Sequence, residues 1–226
     1  MHEGSMLSDY SKKYFDDRQV GDVQREIMYK IEFERLMKHC GSSQGNVLDI
    51  GCGTGGFLDQ FESNRWHRYG IDISEFAVEI SKSKGIIFDI PDVDNFFDII
   101  IYRGSIQHLD RPIDSIFTAF RKLKPGGYIV FLATPNAGGI CYRLFQDLPA
   151  LAPSLNFVVF SDRVLCQTLL NIGFCQPHFY YPYINTPYSS YIKDHALFLL
   201  RMLGIKTKFA FWGNMMECYA QKPLLN

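Results

Sequence analysis

The feature that most constrains this chain is the run Gly51-Cys52-Gly53-Thr54-Gly55-Gly56, set between the apolar stretch NVLDI and the mixed stretch FLDQFE. Glycine adopts backbone angles closed to other residues and lets a ligand approach the main chain with no Cβ in the way. A run of this kind after a buried strand points to a strand–turn–helix unit, with TGGFLDQFE starting the helix and its first N–H groups free to bind. Spacing alone is ambiguous, because Gly51, Gly53 and Gly56 also satisfy the G-x-G-x-x-G pattern of dinucleotide sites.

The surrounding sequence repeats the same rhythm. NVLDIG, RYGIDIS, GIIFDI, FFDIIIYRG and YIVFLATPN read as five strands, separated by helical stretches such as EFAVEISKSK, with Ser74 as its N-cap, and Pro112–Leu123; KPGG reads as a turn. The strands are near-continuous apolar runs, as expected of a parallel sheet covered on both faces. Upstream, residues 19–41 predict a helix on the spacing of Val20, Val23, Ile27, Ile31, Leu36 and Met37, with Gly41 as its stop. Downstream of Asn136 the rhythm breaks, SDRVLCQTLLNIGF reads as a capped helix, and ECYAQKP reads as a final strand. The expected fold is α/β, Rossmann-like and doubly wound, with about seven mostly parallel strands, the last antiparallel. One domain is expected: an N-terminal helical segment (1–43), a cofactor-binding core (44–136), a substrate lid (137–212) and a closing strand (213–226).

Composition narrows the function classes. A net charge of −1 leaves no basic excess for a phosphate backbone, so nucleic acid is not the expected partner. The six cysteines form no C-x-x-C pair and no Cys/His cluster with zinc spacing, which suggests a reducing, cytoplasmic setting and no metal. No stretch reaches the roughly 18 apolar residues of a membrane span, so stable membrane insertion is not expected. A monomer or a homodimer is expected.

The acidic residues separate the two readings of the glycine run. Asp49 precedes Gly51 by two positions, where a carboxylate would repel a pyrophosphate but suit a ligand carrying an ammonium group. S-adenosylmethionine carries an α-amino group and a sulfonium and no phosphate. Asp72 ends the second strand, where an acid can take both ribose hydroxyls, and Asp89 ends the third, within the reach expected of an adenine amino group.

At these positions the sequence resembles the class I S-adenosylmethionine-dependent methyltransferases. VLDIGCGTG, GIDIS, FDI (88–90), FDIIIYRGSIQHL and LKPGGYIVFLATPN resemble five of their motifs in order, over about residues 44–136. The TPN after the fifth strand and the tail resemble the bacterial small-molecule branch of ubiquinone-methyltransferase-like and polysaccharide-cluster enzymes. The resemblance implies that Asp49 and the loop of Gly51, Cys52, Gly53 and Gly55 hold the methionine part. Asp72 and Ile73 would take the ribose and adenine, and Asp89 and Ile90 would line the adenine pocket. Tyr102 and Arg103 would face the methionine end and the acceptor, and Tyr14 would close over the cofactor. S-adenosylhomocysteine is the implied product, and the implied acceptor is a small molecule methylated on oxygen or nitrogen, a sugar or a lipid-linked precursor being among the candidates.

Transfer from a sulfonium mainly requires alignment and exclusion of water. A hydroxyl acceptor also needs a base, for which His108 is the candidate, with Arg103 beside it. Similar enzymes often carry Glu-His where this chain has Gln107-His108, so a carboxylate that would orient the histidine or bind a metal is missing. His178, His195 and the tyrosines 180, 181, 183, 188 and 191, with Phe179, are candidates for the acceptor pocket. The rival readings are a nicotinamide oxidoreductase, disfavoured by Asp49 and KPGG, a nucleic-acid methylase, disfavoured by Tyr102-Arg103-Gly104-Ser105 in place of a D/N-P-P-Y tetrad, and a non-catalytic binding protein.

Overall fold

Strands rich in Ile, Val and Phe bury both of their faces, and they assemble here into one twisted sheet. The computed structural model describes residues 22–147, 156–183, 186–187, 189–207 and 213–224. In chain order these form α1 (Asp22–Cys40), β1 (Gly45–Ile50), β2 (Trp66–Ile71), α2 (Glu75–Ser83), β3 (Phe97–Arg103), α3 (Pro112–Lys122), β4 (Leu123–Pro135), α4 (Ile140–Phe145), α5 (Asp162–Ile172), β5 (Cys175–Tyr180), α6 (Tyr191–Met202) and β6 (Met215–Gln221). The spatial order is β2-β1-β3-β4-β6-β5. The β1–β2, β1–β3 and β3–β4 pairs are parallel, while β6 is antiparallel to both β4 and β5. The chain leaves β1 toward β2 and returns to β3 on the other side, which opens a cleft at the carboxyl ends of β1 and β3.

Alternation along the central strands sorts the core into two layers. Val47, Ile99, Ile101, Val130 and Leu132 face α1 and the loop carrying Phe57 and Phe61. Leu48, Ile100, Tyr102, Ile129 and Phe131 face α3 and α5 through Ile116, Leu165 and Leu169. Local signals set the helix ends. Pro112 opens α3, where its missing N–H costs nothing, and Ser161 caps α5 by accepting from Val164 N at 3.2 Å. Gly173 closes α5 in the left-handed region at φ 116°.

Five local expectations change. The sheet has six strands among the described residues, not about seven. GIIFDI contributes only a single bridge, Ile87 to Tyr69, before Pro91, which lacks an N–H, ends any further pairing. The segment after the glycine run is a 3-10 turn, Leu58–Gln60, not an α-helix, because Gly53 and Gly55 hold positive φ angles of 54° and 76° where a helix would start. KPGG is an irregular part of β4, which is already paired at Leu123 and resumes regular register at Tyr128. Cys175–Tyr180, expected within the lid, instead forms the edge strand β5, with α5 packed on the sheet before it.

The helix of residues 22–40 is where the periodicity places it, and Leu36, Ile31 and Met37 pack inward as expected, but the first part of the expected face does not. Val23 and Ile27 are 73% and 44% exposed, while Met28, Glu32 and Leu36 are buried. Spaced by four, these three residues make one stripe. Among the described residues no helix is long and apolar enough to cross a membrane.

Candidate active site

The cleft residues arrive from the carboxyl ends of three neighbouring strands. Asp49 lies one residue before the end of β1 and is buried, and its Oδ1 has no hydrogen-bond partner. Burial raises its carboxyl pKa to about 7; the Arg103 guanidinium opposes the rise, and the Asp72 and Glu32 carboxylates add to it. A buried acceptor with an empty lone pair, next to two other acids, is a place where a cation gains most.

The glycine run turns the chain away beneath this carboxylate. Gly51 sits at φ 82°, and its N–H donates to Ile71 O at 2.7 Å; a Cβ here would lie 2.5 Å from the Ser105 Cβ. Gly53 N donates to Asp72 Oδ2 at 2.8 Å, and Asp72 Oδ1 accepts from Ser74 N at 2.9 Å. Asp72 therefore braces the loop through both carboxylate oxygens. Gly55 at φ 76° passes so close to Ile86 that a Cβ would lie 2.3 Å from its Cδ1. The Cys52 side chain is packed in the core, and a Cβ on Gly70 would sit 2.7 Å from its sulfur, so only its backbone is available to a ligand. Ile73 stands 56% exposed beyond β2, Asp89 is exposed, and Ile90 packs on the core.

Arg103 and Tyr102 part company. Ile101 is in register with Asp49, so Arg103, two residues on, extends the same face. Its Nε donates to Glu32 Oε2 at 2.6 Å, and its guanidinium lies 4.4 Å from the Tyr29 ring centre. Burial works against the Arg103 charge, but Glu32 and the tyrosines outweigh it, and the guanidinium pKa stands above its ordinary value. Tyr102 points to the other face, fully buried, with its ring stacked on Phe131 and its hydroxyl 2.7 Å from Ser115 Oγ on α3. The expectation that its side chain meets the ligand is corrected, since strand alternation sends it into the core.

His108 ends a 3-10 turn, Ile106–His108, at the carboxyl edge. The Gln107 amide nitrogen donates to Gly104 O at 2.9 Å and lies 3.1 Å from His108 Nε2. An amide nitrogen only donates, so His108 Nε2 accepts and the proton of the neutral ring sits on Nδ1. Of the lid candidates, Tyr183 reaches the site, with Ala133 N donating to its hydroxyl at 2.8 Å and the hydroxyl donating to Glu32 Oε1 at 3.4 Å. Tyr180 and His178 pack beside His39, and Tyr181 donates to Asp162. His195 lies on α6 against Tyr191. Tyr14 and Tyr188 lie outside the described residues.

The residues that sequence reasoning missed are Glu32, Tyr29, Ser105 and Ser81. Ser105 donates to Ile50 O, and Ser81 donates to Gly53 O at 2.8 Å, so both brace the glycine loop. A charged residue at the i+4 position between Met28 and Leu36 is the signal that marks Glu32.

The fold and this cleft define an α/β domain with a buried, unpartnered carboxylate oxygen at the head of its first loop. Residues 21–175 match the family described as a methyltransferase domain, and the chain belongs to that family. It is a class I S-adenosylmethionine-dependent methyltransferase. An uncharacterised protein of Methanocaldococcus jannaschii is 32% identical over 72% of this chain and 76% of its own length. The demethylmenaquinone methyltransferase of Staphylococcus aureus is 30% identical over 57% of this chain, which spans 58% of that enzyme. The phosphoethanolamine N-methyltransferase of Triticum aestivum is 38% identical over 57% of this chain, which spans 27% of that enzyme. Among solved structures, a SAM-dependent methyltransferase of Thermotoga maritima superposes with a TM-score of 0.65 at 19% identity, covering 93% of this chain and 96% of its own.

Proposed function

We propose that this chain methylates a small molecule on oxygen or nitrogen, without a metal, and that Asp49 takes the amino group of the methyl donor. The observation that carries the reading is the buried, unpartnered Oδ1 of Asp49 at the head of the glycine loop. S-adenosylmethionine supplies, when bound, a methyl group on a positively charged sulfur with a neutral leaving group. The backbone of Gly51 and Gly53 borders its methionine part, Asp72 and the exposed Ile73 suit its ribose and adenine, and Asp89 and Ile90 lie further along the same edge. The acceptor class is supported by relatives whose names describe menaquinone and phosphoethanolamine methylation and by a net charge that offers no pull on nucleic acid. Among the described residues no three His, Cys, Asp or Glu side chains come together as metal ligands. A lipid-linked precursor fits the apolar surface of α6, where Ile192, Leu199 and Met202 are exposed. The described residues that follow β5, 181–183, 186–187 and 189–207, are the part of the expected lid that suits this role.

The chain's own work is to bind, orient and exclude water. Because Gln107 engages His108 Nε2, the histidine is read as a group that positions the acceptor, not as its base. Equilibrium binding tests the donor site: Asp49→Ala is expected to lose S-adenosylmethionine while its thermal melt stays cooperative, and undiminished affinity would remove Asp49 from the role. His108→Ala is expected to slow turnover about tenfold, short of the 10²–10⁴ that a lost general base removes. A loss in that larger range would return His108 to base duty.

A further inference from the structure

We propose that Glu32 is a positioning residue: it holds the Arg103 guanidinium off Asp49 and so keeps the Asp49 carboxylate open to the amino group of the methyl donor. The inference rests on the assignment of Asp49 to that amino group. Glu32 sits fully buried between Met28 and Leu36 on the face by which α1 docks. If docking were its only task, an apolar residue would serve as well or better, since a buried ion pair seldom stabilises more than the hydrophobic residues it replaces. Its partner explains its presence. Arg103 extends the sheet face that carries Asp49, and its charge already acts on that carboxyl group. Glu32 takes the guanidinium through contacts of 2.6 Å to Nε and 3.4 Å to Nη2. Tyr29 from the same helix lies against the guanidinium, and the Tyr183 hydroxyl donates to the same Glu32 Oε1 that accepts from Arg103 Nη2.

The charged and titratable groups that bear on Asp49 are therefore Arg103 from β3, Asp72 from beyond β2, the Cys52 thiol of the glycine run, and Glu32 and Tyr29 from α1. Remove the Glu32 charge, and Asp49 becomes the carboxylate whose attraction on Arg103 goes unopposed. An internal guanidinium then occupies the position meant for the ligand's ammonium.

The test is calorimetric binding of S-adenosylhomocysteine, which keeps the amino-acid tail, measured from pH 5.5 to 8.5 on the whole chain. Glu32→Gln is expected to bind about 10- to 100-fold more weakly at pH 8, the span of one charge-assisted hydrogen bond. The pH at which binding falls by half should also move down, because Asp49 paired to Arg103 stays ionised to lower pH. Adding Arg103→Met to Glu32→Gln removes the competitor and should recover affinity. Glu32→Asp, still charged, serves if the glutamine variant does not fold, and should give an intermediate midpoint. Wild-type affinity and midpoint in the Glu32 variants would overturn the proposal, as would a double variant that binds no better than Glu32→Gln. A wild-type chain that fails to bind S-adenosylhomocysteine would overturn the Asp49 assignment and the proposal together.

Discussion

The buried carboxyl of Asp49 is held at a cost to folding. With its carboxyl pKa raised to about 7 by burial, the folded chain holds that proton more tightly than the unfolded chain does. Its contribution to stability is therefore best below the ordinary carboxylate range and declines as pH rises toward about 7, beyond which it is flat. Asp49→Asn removes the charge, so the ligand-free variant should melt above wild type at pH 8, by an amount on the order of a few kcal/mol. The gain should shrink as pH falls below about 7. Thermal melts at pH 8 and pH 5 check this, and equal shifts at both would refute it. Gly51 is constrained differently. Gly51→Ala would force an alanine to φ 82° and set its Cβ 2.5 Å from Ser105, so the loop must move and donor binding should fall more than stability does.

Elements differed in how much of themselves the sequence displayed. β1, β3 and β4 were legible because two-sided burial demands unbroken apolar runs, and α5 was legible because Ser161 and Gly173 mark its ends. Ser161→Ala should cost about 1 kcal/mol in a denaturant melt, the usual worth of an N-cap; no change would mean that packing alone holds the end of α5. The edge strand β5 was hidden because CQPHFY carries a proline and, being half-buried or exposed throughout, lacks the apolar run of the central strands. The helix after the glycine run was over-read, since three left-handed glycines at 51, 53 and 55 redirect the chain through a 3-10 turn. The site itself was half legible. The acids at strand ends announce themselves by position, but Glu32 and Arg103 lie 71 residues apart, and only the docking of α1 on the sheet makes them partners.

At the scale of the molecule, α1 is fastened by two long-range ion pairs on one face of the sheet. Besides Glu32–Arg103, the Arg35 Nη1 lies 2.6 Å from both oxygens of the buried Glu217 on β6. Burial raises the Glu217 carboxyl pKa, Arg35 opposes this, and Tyr219 adds a hydrogen bond at 2.9 Å. Arg35→Ala strands that carboxylate and should destabilise the chain by about 3 kcal/mol in a denaturant melt. A loss under about 1 kcal/mol would mean that Glu217 simply takes up a proton. The Arg35–Glu217 pair closes a span of 182 residues, so the order of synthesis and the order of assembly run opposite ways. On the ribosome α1 emerges ahead of every strand, yet its final seat exists only after β6 has emerged. Nascent chains arrested before residue 213 should therefore leave α1 open to protease, while released full-length chains protect it. Equal protection in both would show that the first helix needs no help from the last strand.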